Sequence, residues 1–105
     1  MNHCLLKSYW LFYLIVKEGG FTKAANAAHM RQPPLSMHIK KLENELGVLL
    51  FKRNSKKVLL TKEGQAIFPC VEKFITDTEF FFEQIQSKLN DLEQKVTLGS
   101  FVWLL

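Results

Sequence analysis

The chain has 105 residues, 48% of them hydrophobic, and a formal net charge of +4. That length suits one compact domain plus one extended element and excludes a large multidomain enzyme. The charge is unevenly spread: residues 1–62 hold eleven Lys and Arg against three acids, and residues 63–105 hold three against seven. A strongly basic first part joined to an acidic second part is the distribution of a nucleic-acid-binding module, although basic residues also occur simply as solvated surface.

Residues 5–18 read as a helix rich in Leu, Tyr, Trp and Phe, stopped by Gly19-Gly20. The apolar run 9–16 (YWLFYLIV) and the small-x-small triplet Ala25-Asn26-Ala27 imitate an export signal. Lys17, Glu18 and Lys23 intervene, however, and the run falls far short of the roughly 20 residues a membrane span needs. A buried or amphipathic helix accounts for it, and no membrane partner is expected. Thr22 is placed to cap a second helix over 23–29, whose paired alanines allow close approach to a neighbour.

A third helix is expected over 32–46, opened by Gln32-Pro33-Pro34, where a missing amide hydrogen costs little, and closed by Gly47. Leu35, Ile39, Leu42 and Leu46 fall within about 60° of one another and form its core stripe. Pro33, Met37, Lys40, Lys41 and Asn44 project from the other side, with Glu43 at the flank, a face suited to an anionic groove. Residues 48–53 and 58–60 are short apolar runs around the polar turn Asn54-Ser55-Lys56-Lys57 and predict a hairpin carrying Lys52, Arg53, Lys56 and Lys57. A basic hairpin beside a basic helix is a winged helix-turn-helix.

Thr61 is expected to cap a last, long helix with Glu63 in its first turn. Ile67, Val71, Phe74, Thr78, Phe81, Ile85, Leu89, Leu92 and Val96 follow a near-heptad spacing with one slip at Leu89. Such a helix is roughly 50 Å long and needs a partner, most economically a second copy of itself. Phe80, Phe81 and Phe82 point in three directions and cannot all face one helix. Pro69 predicts a kink or irregular turn just before it. Residues 97–105 (TLGSFVWLL) turn β-branched and apolar and resemble the first strand of a further domain.

Cys4 and Cys70 form no CxxC pair and read as free thiols of a cytosolic protein. His3, Cys4, His29, His38 and Cys70 lack metal-ligand spacing apart from the adjacent first two, so neither a metal nor another cofactor is expected. No nucleophile, base and orienting group form a recognisable motif, so the chain is not read as an enzyme.

Several motifs in unbroken order carry a resemblance: Gly20-Phe21-Thr22-Lys23-Ala24-Ala25, Gln32-Pro33-Pro34-Leu35-Ser36, Ile39-Lys40-Lys41-Leu42-Glu43-Asn44-Glu45-Leu46-Gly47-Val48-Leu49-Leu50-Phe51-Lys52-Arg53, and Leu60-Thr61-Lys62-Glu63-Gly64. Over residues 5–96 the chain resembles the N-terminal domain of LysR-type transcriptional regulators. The resemblance implies a mainly α fold: a winged helix-turn-helix (three helices plus a β-hairpin wing) over 1–61, a linker and dimerisation helix over 62–96, and over 97–105 a remnant of the first strand of an effector domain. In that family a small-molecule effector domain normally follows. None is expected within this chain, nor an effector site.

Carried onto matching positions, Gln32, Pro33 and Ser36 reach base edges and nearby phosphates. Gln can pair with adenine through two hydrogen bonds, and Pro can meet a thymine methyl. Arg53 matches the wing arginine, and Thr22 the residue capping the second helix near the DNA backbone. Arg31 stands where the family usually has a small hydroxyl residue, Pro34 where it has Ala or Ser, and Met37 where a basic residue is frequent. His38 reads as a partly buried flank residue rather than a base reader.

The expected DNA-contacting set is thus Thr22, Lys23, Arg31, Gln32, Pro33, Ser36, Met37, Lys40, Lys41, Lys52, Arg53, Lys56 and Lys57. The expected dimer seam is Ile67, Val71, Phe74, Thr78, Phe81, Ile85, Leu89 and Leu92. The function this implies is sequence-specific binding of double-stranded DNA by a homodimer, for transcription regulation, in the cytoplasm at the nucleoid. The competing reading is a truncated interaction module that pairs with full-length relatives and modulates them.

Overall fold

The structure, a computed structural model, describes residues 3–52 and 57–92. Four helices follow one another: α1 (His3–Glu18), α2 (Phe21–Ala27), α3 (Gln32–Leu46) and α4 (Lys62–Asp91). Helix α1 is the hub and packs against the other three. Leu11, Phe12 and Ile15 on it are fully buried, as expected of a helix with apolar residues around much of its circumference. It stops where Gly19 takes φ 82° and donates its N–H to the Ile15 carbonyl at 3.0 Å, a left-handed conformation that costs glycine little.

Ala24 and Ala25 are buried, and their small side chains let α2 lie close to α1 and α3. The turn into α3 runs through His29 at φ 56°, with the Met30 N–H bonding back to the Ala25 carbonyl at 2.9 Å. On α3, Leu35, Ile39 and Leu42 enter the core as predicted. Leu46 does not: it is 38% exposed, because it is the last residue of the helix and projects past its neighbours just before the left-handed Gly47.

Glu43, expected at the flank of the solvent face, is buried. Its Oε2 accepts from the Leu50 N–H at 2.7 Å and the Phe51 N–H at 3.4 Å. These bonds satisfy backbone donors that the turn after α3 would otherwise bury unpaired.

Among the described residues the predicted hairpin is reduced to one antiparallel bridge between Phe51 and Leu60. It is flanked by bonds from the Lys52 N–H to the Leu59 carbonyl at 2.9 Å and from the Thr61 N–H to the Leu50 carbonyl at 3.0 Å. Of its expected turn Asn54-Ser55-Lys56-Lys57, only Lys57 is described; residues 53–56 lie outside the described residues.

Thr61 caps α4 as predicted, its hydroxyl accepting from the Gly64 N–H at 3.0 Å and donating to the Leu49 carbonyl. A Cβ on Gly64 would run into the Leu50 carbonyl oxygen, so only glycine lets α4 start this close to the segment that follows α3. No irregular turn interrupts α4 at Pro69 among the described residues. Pro69 is exposed on the side away from the core, so the Gln65 carbonyl that loses its helical donor can be hydrated. The helix is held to α1 by Tyr13 stacked on Phe68 at 6.1 Å and by the Lys17–Glu72 ion pair at 2.7 Å.

Helix α4 carries two apolar stripes rather than one. Gly64, Val71 and Ile75 are buried against the body of the protein, with Ile67 and Phe68 packed beside them. Val71, assigned from its spacing to a dimer seam, therefore belongs to the core of its own chain, because α1 takes up that face first. Phe74, Phe81, Ile85 and Leu92 lie roughly 40–80° round the axis from Val71, while Thr78 and Leu89 lie within about 20° of its line further along the helix. Val96 and residues 97–105 lie outside the described residues. No described helix is long and apolar enough to cross a membrane.

Candidate nucleic-acid interface

The outer face of α3 is built by the same periodicity that buries its inner face. Gln32, Pro33, Ser36, Met37, Lys40 and Lys41 are all exposed while Leu35, Ile39 and Leu42 anchor the opposite side. Met37 is 71% exposed, an unbranched apolar side chain standing among lysines. Arg31 precedes the helix in extended conformation and makes no side-chain cap bond, so its guanidinium is not engaged in capping the helix.

Thr22 departs from expectation. Helix α2 begins at Phe21, with Gly20 as its N-cap and no side-chain cap bond. Phe21 is drawn into the first turn because its ring meets the Phe51 ring edge-on at 5.3 Å. Thr22 thereby becomes a helical residue, and its hydroxyl donates to Gln32 Oε1 at 3.2 Å.

Two adjoining grooves result. One, of about 480 Å³, is lined by Thr22, Lys23, Gln32, Lys52 and Lys57 together with apolar neighbours from α2 and the wing base. The other, of about 370 Å³, includes Gln32, Ser36 and Lys40 and shares Phe21 and Phe51 with the first. The fold thus brings together lysines from the start of α2, from α3 and from the wing base around Gln32. Arg31, Met37 and Lys41 are exposed outside both grooves, and Arg53 and Lys56 lie outside the described residues. A concave basic surface around polar side chains can neutralise phosphates while presenting hydrogen-bonding groups to base edges.

His38 lies behind this face. Its Nδ1 shares a hydrogen bond with the buried Ser8 hydroxyl at 3.1 Å. Burial, and then the Lys7 and Lys41 charges, push its pKa below the usual histidine value, so the ring favours the neutral form and is not a cationic DNA contact.

The expected dimer seam divides. Val71 is buried and Ile67 half-buried, Phe74 and Phe81 are exposed by 42% and 57%, and Leu92 by 67%. Thr78, Ile85 and Leu89 are partly exposed between them. An apolar groove of about 250 Å³ lined by Leu6, Tyr9, Cys70, Val71 and Phe74 opens at the α1 end of this stripe.

Sequence reasoning missed Glu43, Gly64, Ile75 and the Ser8–His38 pair. Glu43 was within reach, since it lies one turn after Ile39, beside the core stripe.

These elements define a helix-turn-helix protein with a long trailing helix. Residues 6–65 match the family described as bacterial regulatory helix-turn-helix protein, lysR family, and the chain belongs to that family. It is similar to the transcriptional regulator XapR of Escherichia coli K12, at 47% identity across 90% of this chain and 32% of that protein. It is likewise similar to the regulator BsdA of Bacillus subtilis 168, at 37% identity across 88% of this chain and 32% of that protein. Among solved structures it resembles BenM DBD in complex with catB site 1 DNA, at 30% identity and a TM-score of 0.74, over 92% of this chain and all of that one. The chain spans about a third of the length of these curated relatives.

Proposed function

We propose that the chain binds double-stranded DNA with sequence preference, as the DNA-reading part of a bacterial transcription regulator. The observation that carries this reading is the exposed α3 face set between Lys23 and the Lys52–Lys57 wing base, on a fold similar to one crystallised on DNA. Lysines supply affinity through phosphate neutralisation and counterion release, and Gln32, Pro33, Ser36 and Met37 supply base discrimination. Residues 1–61 form the reading unit and residues 62–96 the linker. Arg53 and Lys56 extend the phosphate contacts from the wing.

The active form is a homodimer through the outer stripe of α4, supported by apolar side chains such as Phe74, Phe81 and Leu92 that stand exposed among the described residues. Two recognition helices on one twofold axis then meet successive major grooves. The protein acts in the cytoplasm, at the nucleoid. The same exposed stripe favours a second reading, in which the chain pairs with full-length relatives and modulates them.

Fluorescence anisotropy of two labelled duplexes, one from upstream of the protein's own gene and one random, tests the first reading at two salt concentrations. Tighter binding to the upstream duplex is expected. Equal binding to both, abolished alike by salt, overturns it and leaves the pairing reading, which a pull-down with a full-length relative decides.

A further inference from the structure

The first turn of α3 is short of backbone donors. Pro33 and Pro34 have no amide hydrogen, and the Leu35 N–H is turned back to the Arg31 carbonyl at 3.3 Å. The amide cluster that ordinarily makes a helix N-terminus an anion site is therefore depleted here, and recognition at this end of the helix falls to side chains. Gln32 is the first of them, at the junction of the two grooves.

An exposed glutamine has a freely rotating carboxamide, and each free rotor lowers the affinity and selectivity of the contact it makes. Gln32 is not free in this way. The Thr22 hydroxyl, released from capping because Gly20 takes that position, reaches across ten residues of chain and donates to Gln32 Oε1 at 3.2 Å. Thr22 sits on α2, a helix anchored by the buried Ala24 and Ala25, so the restraint comes from the scaffold rather than from another mobile side chain.

We infer that Thr22 is a positioning residue for base recognition, holding the Gln32 carboxamide so that it reads adenine in the major groove. With one lone pair of Oε1 taken by Thr22, the second remains to accept from an adenine N6 amino group, while the Nε2 donors point to adenine N7. Guanine offers two acceptors, N7 and O6, on the same edge, and the carboxamide oxygen held by Thr22 then opposes O6. The pair therefore selects adenine over guanine. A phosphate-contacting threonine, by contrast, changes affinity on every sequence alike.

This inference rests on the DNA-reading function proposed above. The test uses the full 105-residue chain and duplexes enriched by it from a random pool. Each adenine of the enriched site is replaced in turn by guanine and by 7-deazaadenine, which lacks N7. In the wild type, one position per half-site is expected to lose roughly tenfold or more in affinity on either replacement. Thr22→Val keeps the shape but removes the hydroxyl. It should cut the adenine-over-guanine preference at that position to the level of Gln32→Ala, by a larger factor than any change on random duplex, and Thr22→Ser should restore it.

A uniform loss on all duplexes, with the adenine preference intact, would make Thr22 a phosphate contact and overturn the inference. So would a Thr22→Val protein with wild-type preference at every position. Thermal melting of each variant separates these outcomes from unfolding, and Thr22→Ala, which suits a helix better than valine, provides an independent second removal of the hydroxyl. If the wild type enriches no sequence at all, both this inference and the DNA-reading function fail; an enriched site that Thr22→Val reads normally defeats the Thr22 role alone.

Discussion

The buried Glu43 carboxylate accepts the Leu50 amide hydrogen at 2.7 Å and thereby ties the inner side of α3 to the segment that bridges to Leu60. Because the neighbouring Phe51 amide points to the same oxygen, one side chain sets how the Leu50–Phe51 segment sits beside α3. Glu43→Ala leaves these buried donors unpaired and is expected to destabilise the fold by about 2–3 kcal/mol. Glu43→Gln, which keeps an acceptor oxygen, should cost less. Urea unfolding of the three proteins measures both differences, and equal midpoints for wild type and Glu43→Ala would refute the linkage.

Gly64 makes the second tie. Alanine in a helix interior ordinarily gains roughly 0.5–1 kcal/mol over glycine. At this position the added Cβ meets the Leu50 carbonyl oxygen and the Leu60 side chain, so Gly64→Ala should instead destabilise by about 1–3 kcal/mol. Differential scanning calorimetry should show a lower Tm for this variant; a rise in Tm would show that the helix start can shift away.

His38 gives the fold a dependence on pH. Burial beside Lys7 and Lys41 lowers its folded pKa from the ordinary value of 6.5, so the unfolded chain binds this proton more readily than the folded one. Its contribution is therefore complete above pH 6.5, is lost as the pH falls through that value, and levels off below the folded pKa. Comparing denaturant midpoints of wild type and His38→Asn between pH 8 and pH 5 isolates the contribution; the wild type should lose more stability on acidification.

Lys52 is exposed at the wing base and lines the groove beside Gln32. If it neutralises a phosphate, Lys52→Ala weakens binding to specific and random duplexes by the same factor and reduces the salt slope by about 1. Anisotropy titrations over a range of salt read both quantities. A selective loss on one sequence would instead make it a base contact.

The two stripes of α4 separate assembly from folding. Phe81 is 57% exposed, so Phe81→Glu should leave the thermal transition of the isolated chain nearly unchanged while shifting the proposed dimer to monomer in sedimentation equilibrium. Val71→Glu buries a charge in the core and should unfold the protein. A Phe81→Glu protein with the sedimentation behaviour of wild type would remove the outer stripe from the interface.

Much of the architecture was readable from local signals. The glycine stops at Gly19 and Gly47, the Thr61 cap and the Leu35–Ile39–Leu42 stripe all recur in the structure, because each depends on residues within a turn or two of one another. The signals that misled were those with two physical readings. Thr22 suits an N-cap, but with the Phe21–Phe51 ring contact the helix starts at Phe21, two residues earlier than a Thr22 cap would start it. Val71 suits a heptad seam, but it also fits the 3.6-residue repeat that continues to Ile75, and the presence of α1 decided between them.

Residue order by itself determined the presence of the helices, the Thr61 cap, the glycine stops and which face of α3 carries lysines, since periodicity and capping act over a few residues. It also identified the family, because motifs in unbroken order are a property of sequence. Only the tertiary structure decided that Glu43 turns inward to hold the Leu50–Phe51 segment, that Gly64 admits the Leu50 carbonyl, and that Thr22 meets Gln32. Each of these joins groups seven to fourteen residues apart in the chain, and such a contact exists only once the packing of α1 against the other helices has brought the two segments together.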